Sequence, residues 1–567
     1  MSRRPQTLEA RARARARRGR LRASRLADAA RLAMQGLLRP LALRGRAAPP
    51  AGGARRLVIV QLDGVSRRRL ELALAEGYMP CLAARLAAGG HALSSTRSGA
   101  PASTPAFQAG LFYGVSPSVP GYVWFDRRTR REVRMDRADD AALVEARLAR
   151  GAPGLLRGGT SYFSIFSGGA AFPHFCLSGL AGDYDTGLDW IERHIGPWDA
   201  LASTLVHSVT AARGAIRIAH EVGAGLVDGV RWSMALGRVK HEARFLAHRV
   251  LIGGILRELL VQGILVDVSR GVPVVYTDLI GYDEAAHRRG PGARVALRHL
   301  ASADAALAMI FAAADAVPEL GYDVYVLSDH GHVATRPFEA LAGVPLPEFV
   351  ARAEQGEAAP AVRAVRPNRG IVGGRTLGAG RSDTVAVAEA GDLAHVYFFC
   401  DGGPLPLEGL RARHPRALAA LAASPAIGIV AARGGRRGLA LAGGAVLDLS
   451  EPGDVARLPH PQPALAAAYL SDLLSLPESG DLVVVGWRGE GQEVVAYAWE
   501  FGSHGGIAPE EIEAFVVHPR DVRFRFDDVV RPSELFRFFE EAYRAPGAGR
   551  DRAAVALDEA AGAPPAP

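Results

Sequence analysis

The chain has 567 residues, 49% hydrophobic and 22% charged, the balance of a globular protein with a large core and not of a disordered or fibrous one. Its net charge of +8 is uneven: residues 1–46 hold 14 arginines against Glu9 and Asp28, a net of +12, leaving −4 for the remainder. Basicity therefore belongs to an arm and not to the body, and three distant cysteines without C-x-x-C spacing (Cys81, Cys176, Cys400) argue against a disulfide framework and for a reducing compartment.

Residues 1–53 form that arm and its linker, with Arg11-Ala-Arg-Ala-Arg-Ala-Arg-Arg18 at its centre. A signal peptide needs an unbroken apolar core of about 7–15 residues. Residues 26–43 are interrupted by Asp28, Arg31 and Arg39, so a cytoplasmic location is expected. By composition the arm is solvated; the sharper alternative is peripheral contact with an anionic membrane, ahead of nucleic acid, through phosphate charge.

Residues 54–196 are expected to form the first part of a core. The run Arg56-Leu-Val-Ile-Val-Gln-Leu62 reads as a strand that ends at Asp63-Gly64, where glycine lets the chain turn sharply. Residues 67–88 read as a helix stopped by Gly89-Gly90. In Ser103-Thr104-Pro105 the proline suits a first helical turn and Thr104 the N-cap, where a hydroxyl faces the positive end of the helix dipole. Residues 115–190 are rich in glycine and aromatics and are expected to line a substrate cleft. Residues 197–268 have helical period and apolar runs that Arg257 and Glu258 interrupt, short of the roughly 20 residues a membrane span needs. They are expected to form an inserted helical cap, with a monotopic membrane surface as the alternative.

The second part of the core, residues 269–545, opens with a strand from residue 272 that runs into Asp283-Glu-Ala-Ala-His287. On a helix this spacing puts both side chains on one face, able to share one ion. A helix over 295–316 precedes a strand over 322–327, which ends in Ser328-Asp329-His330-Gly331-His332. Strands are expected at 393–399, 427–432, 482–485 and 494–500, the last leading to Gly502-Ser-His504-Gly-Gly506. Segments 509–513 and 524–541 close the fold, and residues 546–567 are expected from composition to be disordered.

Asp63, Asp283, Asp329, His287, His330, His504 and the Thr104 hydroxyl thus all stand where strands end or helices begin. Mixed His/Asp ligation suits zinc or manganese better than calcium or magnesium, and six ligands suffice for two ions. Asp278 and Glu284 are alternative ligands and Ser103 an alternative nucleophile. His332 reads as a supporting or core histidine.

In order and spacing these stretches resemble the type I phosphodiesterase/nucleotide pyrophosphatase family of the alkaline phosphatase superfamily. The resemblance rests on Leu62-Asp63-Gly64, Pro101-x-x-Thr104 with Gly114, Asp283-x-x-x-His287-x-x-Gly290-Pro291, Ser328-Asp329-His330-Gly331 and Ser503-His504-Gly505. It implies an alkaline-phosphatase-like α/β core, with a mixed, mostly parallel central sheet flanked by helices and carrying the inserted cap. One divalent ion would be held by Asp283, His287 and His504, the other by Asp63, Asp329 and His330. Thr104 would join the second ion and attack phosphorus. The implied activity is hydrolysis of phosphodiester or pyrophosphate bonds. The alternatives are a phosphomonoesterase or phosphotransferase on the same site, or a membrane-surface or nucleic-acid-binding protein with an idle core. Where the family often has a phosphate-binding Asn, this chain has Phe107 followed by Gln108, the candidate substrate-binding pair; Tyr282 and Ala286 replace the usual Pro and Gly.

Overall fold

The computed structural model describes residues 55–115, 119–151, 153–181, 257–355, 385–399, 403–435 and 437–544, together with Gly223. The arginine-rich arm, the C-terminal tail and most of the expected cap lie outside the described residues. The chain divides into two compact units: Met1–Ala48, Asp183–Gly271 and Met309–Val317 form one, and Pro49–Gly182, Val272–Ala308 and Pro318–Pro567 the other. Within the first, the helix Arg257–Arg270 buries Leu260, Val261, Ile264, Leu265 and Val268, a spacing that keeps them on one side of the helix.

The second unit is mixed α/β, with a mostly parallel central sheet flanked by helices. In chain order its strands are β1 (Arg56–Gln61), β2 (His91–Arg97), β3 (Thr160–Tyr162), β4 (Phe172–His174), β5 (Val274–Asp278), β6 (Tyr322–Leu327) and β7 (Glu513–Pro519). Their order across the sheet is β2-β7-β6-β1-β5-β3-β4. Only β7 runs against its neighbours; the pairs from β6 to β4 are all parallel. The three central strands are buried along their whole length, as expected when helices cover both faces of a parallel sheet. Register places Gln61 beside both Asp278 and Leu327. β1, β5 and β6 therefore end level, and the loops that follow them leave from one edge, where open α/β sheets build their sites.

The expected helix over 67–88 is two helices, α1 (Arg67–Ala75) and α2 (Pro80–Ala87). Between them Gly77 takes φ 70°, a left-handed turn that ends α1, and Pro80 starts α2. Next come α3 (Thr104–Tyr113), α4 (Gly281–Arg289) and α5 (Arg294–Asp315). Among the described residues α5 alone is long and apolar enough to cross a membrane, but 61% of that stretch is buried. Its Asp304 accepts from the amides of Cys81 and Leu82 at 2.8 and 2.9 Å, capping α2 from a distance, as a core helix does. The last helix, α6 (Pro532–Phe539), lies against α3. A Cβ at Gly114 would stand 2.3 Å from Cδ1 of Phe536, and Gly114 also has φ 66°, so only glycine fits there.

The strands expected near 393–399, 427–432 and 482–485 belong to a separate six-stranded antiparallel sheet. The strand expected over 494–500 covers only Val494–Ala496. It belongs to a three-stranded sheet with Val333–Pro337 and Gly502–Ser503, in which Ser503 pairs with Val333. This small sheet ties the chain just after His332 to the chain just before His504.

Candidate metal centre

Asp63 follows β1, Asp329 and His330 follow β6, Asp283 and His287 share one face of α4, and Thr104 begins α3. The small sheet delivers His504. All seven are buried. Gly64 turns at φ 70°, and a Cβ there would lie 2.7 Å from both Asp283 Oδ1 and His332 Cδ2, so the packing of the site itself excludes a side chain. Ser103, and not Thr104, is the N-cap of α3; Thr104 is its first helical residue. Both residue types cap helices, and the sequence does not separate them by one position.

Two buried groups of side chains can each bind a metal ion. Ligand atoms of Asp63, Asp329 and His330 lie within 4.8 Å of one another, and so do those of Asp283, His330, His332 and His504. Two ligands on one ion, with bonds of about 2.0–2.2 Å and a tetrahedral angle, stand roughly 3.3–3.6 Å apart. In the first group, His330 Nε2 is 3.3 Å from Asp329 Oδ2 and 3.8 Å from Asp63 Oδ1. Thr104 Oγ1 is 3.3 Å from both Asp63 Oδ1 and His330 Nε2. In the second, Asp283 Oδ1 stands 3.8 Å from His504 Nε2; the expected ligand His287 is not one of its four members, although its Nε2 comes within 3.4 Å of Asp283 Oδ2. His332 differs: its Nε2 is 2.5 Å from Asp283 Oδ1, too close for two ligands of one ion and right for a hydrogen bond that holds the carboxylate. The groups adjoin, with the rings of His330 and His504 stacked at 3.8 Å.

Three of the histidines are oriented from behind. The Nδ1 of His330 faces the carbonyl of Gly331 at 3.1 Å, and that of His504 the carbonyl of Ala102 at 2.8 Å. His287 Nδ1 meets the carbonyl of Gly502 at 3.0 Å and Glu500 Oε2 at 3.1 Å. A carbonyl only accepts, so Nδ1 carries the proton in each ring and Nε2 is turned toward the carboxylates. The Nε2 of His287 is buried and, among the described residues, has no hydrogen-bond partner; Asp283 Oδ2 faces it at 3.4 Å. Nitrogens presented in this way to carboxylate oxygens fit a cation between them.

Charge gives the same account for the Asp63 group. Burial, with Asp278, Asp329 and Asp283 close by, holds the Asp63 carboxyl well above the usual range, and burial lifts Asp329 to about 6. Burial also pushes His330 and His504 down to about 3 and His332 to about 4, leaving all three neutral at pH 7. Burial would lower His287, but Glu500 and Asp283 outweigh it and hold the ring well above its ordinary value. Burial likewise opposes the Asp283 charge, yet His287 and His332 keep that carboxyl well below the usual range. The Asp63 group is short of positive charge, and a divalent ion would supply it.

Several expected residues are placed elsewhere. Phe107 and Gln108, expected to meet substrate, are fully buried. Gln108 donates to Tyr276 Oη at 3.2 Å and Asp278 Oδ2 at 3.3 Å, and its Oε1 accepts from the Ile165 amide at 2.9 Å. Its carboxamide is spent on the core, because α3 is buried on every side. Asp278 also accepts from Gln61 at 3.0 Å. Glu284 is buried one position beyond Asp283, and burial lifts it to about 8. Glu500 carries no mark in the sequence, and Tyr122 belongs to the aromatic stretch expected to line a cleft. With Ser103, Gly121, His287 and His504 they line a recess beside the Asp283 group. Compared with known proteins, the chain matches no family model and no curated relative.

Proposed function

We propose that this protein is a metal-dependent phosphohydrolase on an alkaline-phosphatase-like core, cleaving phosphodiester or pyrophosphate bonds with Thr104 as nucleophile. The observation that carries the proposal is the position of the Thr104 hydroxyl. It stands 3.3 Å from Asp63 Oδ1 and from His330 Nε2, at the positive end of a ten-residue helix, where a threonine with only a structural task has no need of either neighbour.

Asp63, Asp329 and His330 would hold one divalent ion, and Asp283, His287 and His504 the other, zinc or manganese by donor set. Such a pair neutralises phosphate oxygens and the charge that develops on the attacking and leaving oxygens. The protein's own part is positional. Thr104 Oγ1 gives its proton toward Asp63 Oδ1 and forms a bond to phosphorus while the bond to the leaving oxygen breaks. The leaving group departs as an alcohol with a proton from solvent, or as a phosphate where a pyrophosphate bond is cut, and the dipole of α3 favours the anionic phosphoryl group beside its first turn. Water then breaks the threonyl–phosphorus bond and restores the hydroxyl. A diester needs room for a second ester group, and the recess lined by Ser103, Tyr122 and Leu393 adjoins the site.

Purified protein, assayed before and after chelation, tests this directly. Bis(p-nitrophenyl) phosphate should be hydrolysed faster than the monoester, the activity should vanish on chelation, and zinc or manganese should restore it. Failure to cleave either ester after reloading would overturn the proposal.

A further inference from the structure

Ser103 caps α3 by position but not by bonding. A serine at that position ordinarily turns its hydroxyl back to accept from an amide in the first turn. Here it makes no such bond. Its Oγ is buried, 3% exposed for the residue, and has no hydrogen-bond partner among the described residues. It lines the recess that His287 and His504 also line, and it precedes Thr104 directly. A buried hydroxyl left unpaired is costly, so one in a native structure calls for a ligand or water.

The same region lacks a donor that the resemblance would put elsewhere. Three positions beyond Thr104 stands Phe107, wholly buried, and Gln108 is bound into the core. The first amides of a helix have no intrahelical carbonyl to bond, and Pro105 has no amide hydrogen to offer.

We propose that Ser103 is a further catalytic residue, whose hydroxyl donates to a non-bridging oxygen of the phosphoryl group that Thr104 attacks. This inference rests on Thr104 being the nucleophile. Thr104, with Asp63 Oδ1 at 3.3 Å, has an acceptor for the proton it must lose. Ser103 has none, which makes it a donor to substrate and not a second nucleophile.

The test compares Ser103→Ala, Ser103→Thr and the wild type, each loaded with zinc. A lost donor of this kind should lower kcat/KM on bis(p-nitrophenyl) phosphate by about 100-fold and weaken inorganic phosphate, as read by calorimetry, by roughly tenfold. Bound metal should not change. The melting temperature should not change either, because the hydroxyl caps nothing. Ser103→Thr keeps a hydroxyl and should recover part of the activity. A Ser103→Ala protein within about twofold of wild type in kcat/KM, or one that loses activity only in step with metal or melting temperature, overturns the role of Ser103 while leaving Thr104 untouched. A wild type that cleaves neither ester after reloading overturns both.

Discussion

The two ligand groups use the same residue types but are fixed by different parts of the fold. Asp63, Asp329 and His330 lie just past the ends of neighbouring parallel strands, and the register of β1 and β6 sets their separation through backbone alone. The Asp283 group is assembled from more distant parts. Asp283 and His287 share α4, while the segment carrying His504 is docked onto them through contacts 215 residues apart in sequence. Phe501 donates to the His287 carbonyl at 2.9 Å, His287 Nδ1 is held by Gly502 and Glu500, and His504 Nδ1 by Ala102. The strand register protects the first group from changes outside its ligands. The second depends on groups outside the candidate ligands, the Gly502 and Ala102 carbonyls and the Glu500 carboxylate, and those are where it is vulnerable.

The largest expected effect is common to both groups. Thr104→Ala should lower kcat by on the order of 10⁴-fold or more, as loss of a covalent nucleophile does, and abolish any trapped phosphoenzyme; turnover close to wild type would refute the assignment. Next, Asp329→Ala and His504→Ala should each leave one ion per chain in place of two, removing different ions. Metal analysis that found both variants fully loaded would dissolve the distinction between the groups.

A smaller effect separates the groups by their support. Glu500→Ala should weaken metal affinity at the Asp283 group by roughly 10–100-fold and spare the Asp63 group. Glu500→Gln, which still accepts from His287 Nδ1, should lose less. Equal losses for the two variants would show that Glu500 acts through packing and not through that contact.

The smallest effect concerns stability. Asp392 and Glu511 are buried carboxyls that act on one another behind the two loops: the Gly331 amide bonds to the Glu511 carbonyl, and the Gly506 amide to Asp392 Oδ1. Burial raises Asp392 to about 7 and Glu511 well above its ordinary value. Between the unfolded values, near about 4, and these folded values, the folded chain keeps protons that the unfolded chain releases. Stability therefore declines as pH rises through that window. Glu511→Gln should flatten the decline, so that its melting temperature falls by a few degrees less than that of wild type between about pH 5 and about pH 8. Parallel curves would remove the carboxyl pair from the account.

Much of the arrangement is legible in the sequence. Asp63, Asp329 and His330 stand where buried apolar strands stop, and Asp283 and His287 are spaced by one helical turn, so period and punctuation alone point to them. His504 is marked by glycines close on either side. The supporting residues carry no such mark. Glu500 precedes His504 by four positions in what reads as ordinary strand, and His332 resembles any core histidine until its Nε2 is found 2.5 Å from Asp283. The inward turn of Gln108 carries no mark either, because α3 is buried all round, leaving no polar face to show which way a side chain points. β2, with the sequence HALSSTR, has no apolar alternation to announce a strand; its pairing with β7 is a tertiary fact.

Anomalous diffraction from crystals of the zinc-loaded protein tests the central claim most directly. Two peaks are expected, about 4 Å apart: one among Asp63, Asp329 and His330, with Thr104 Oγ1 in contact, and one among Asp283, His287 and His504, with His332 on the Asp283 carboxylate and off the metal. No zinc in either group, or a single ion held by Asp283 and His332 together, would contradict it.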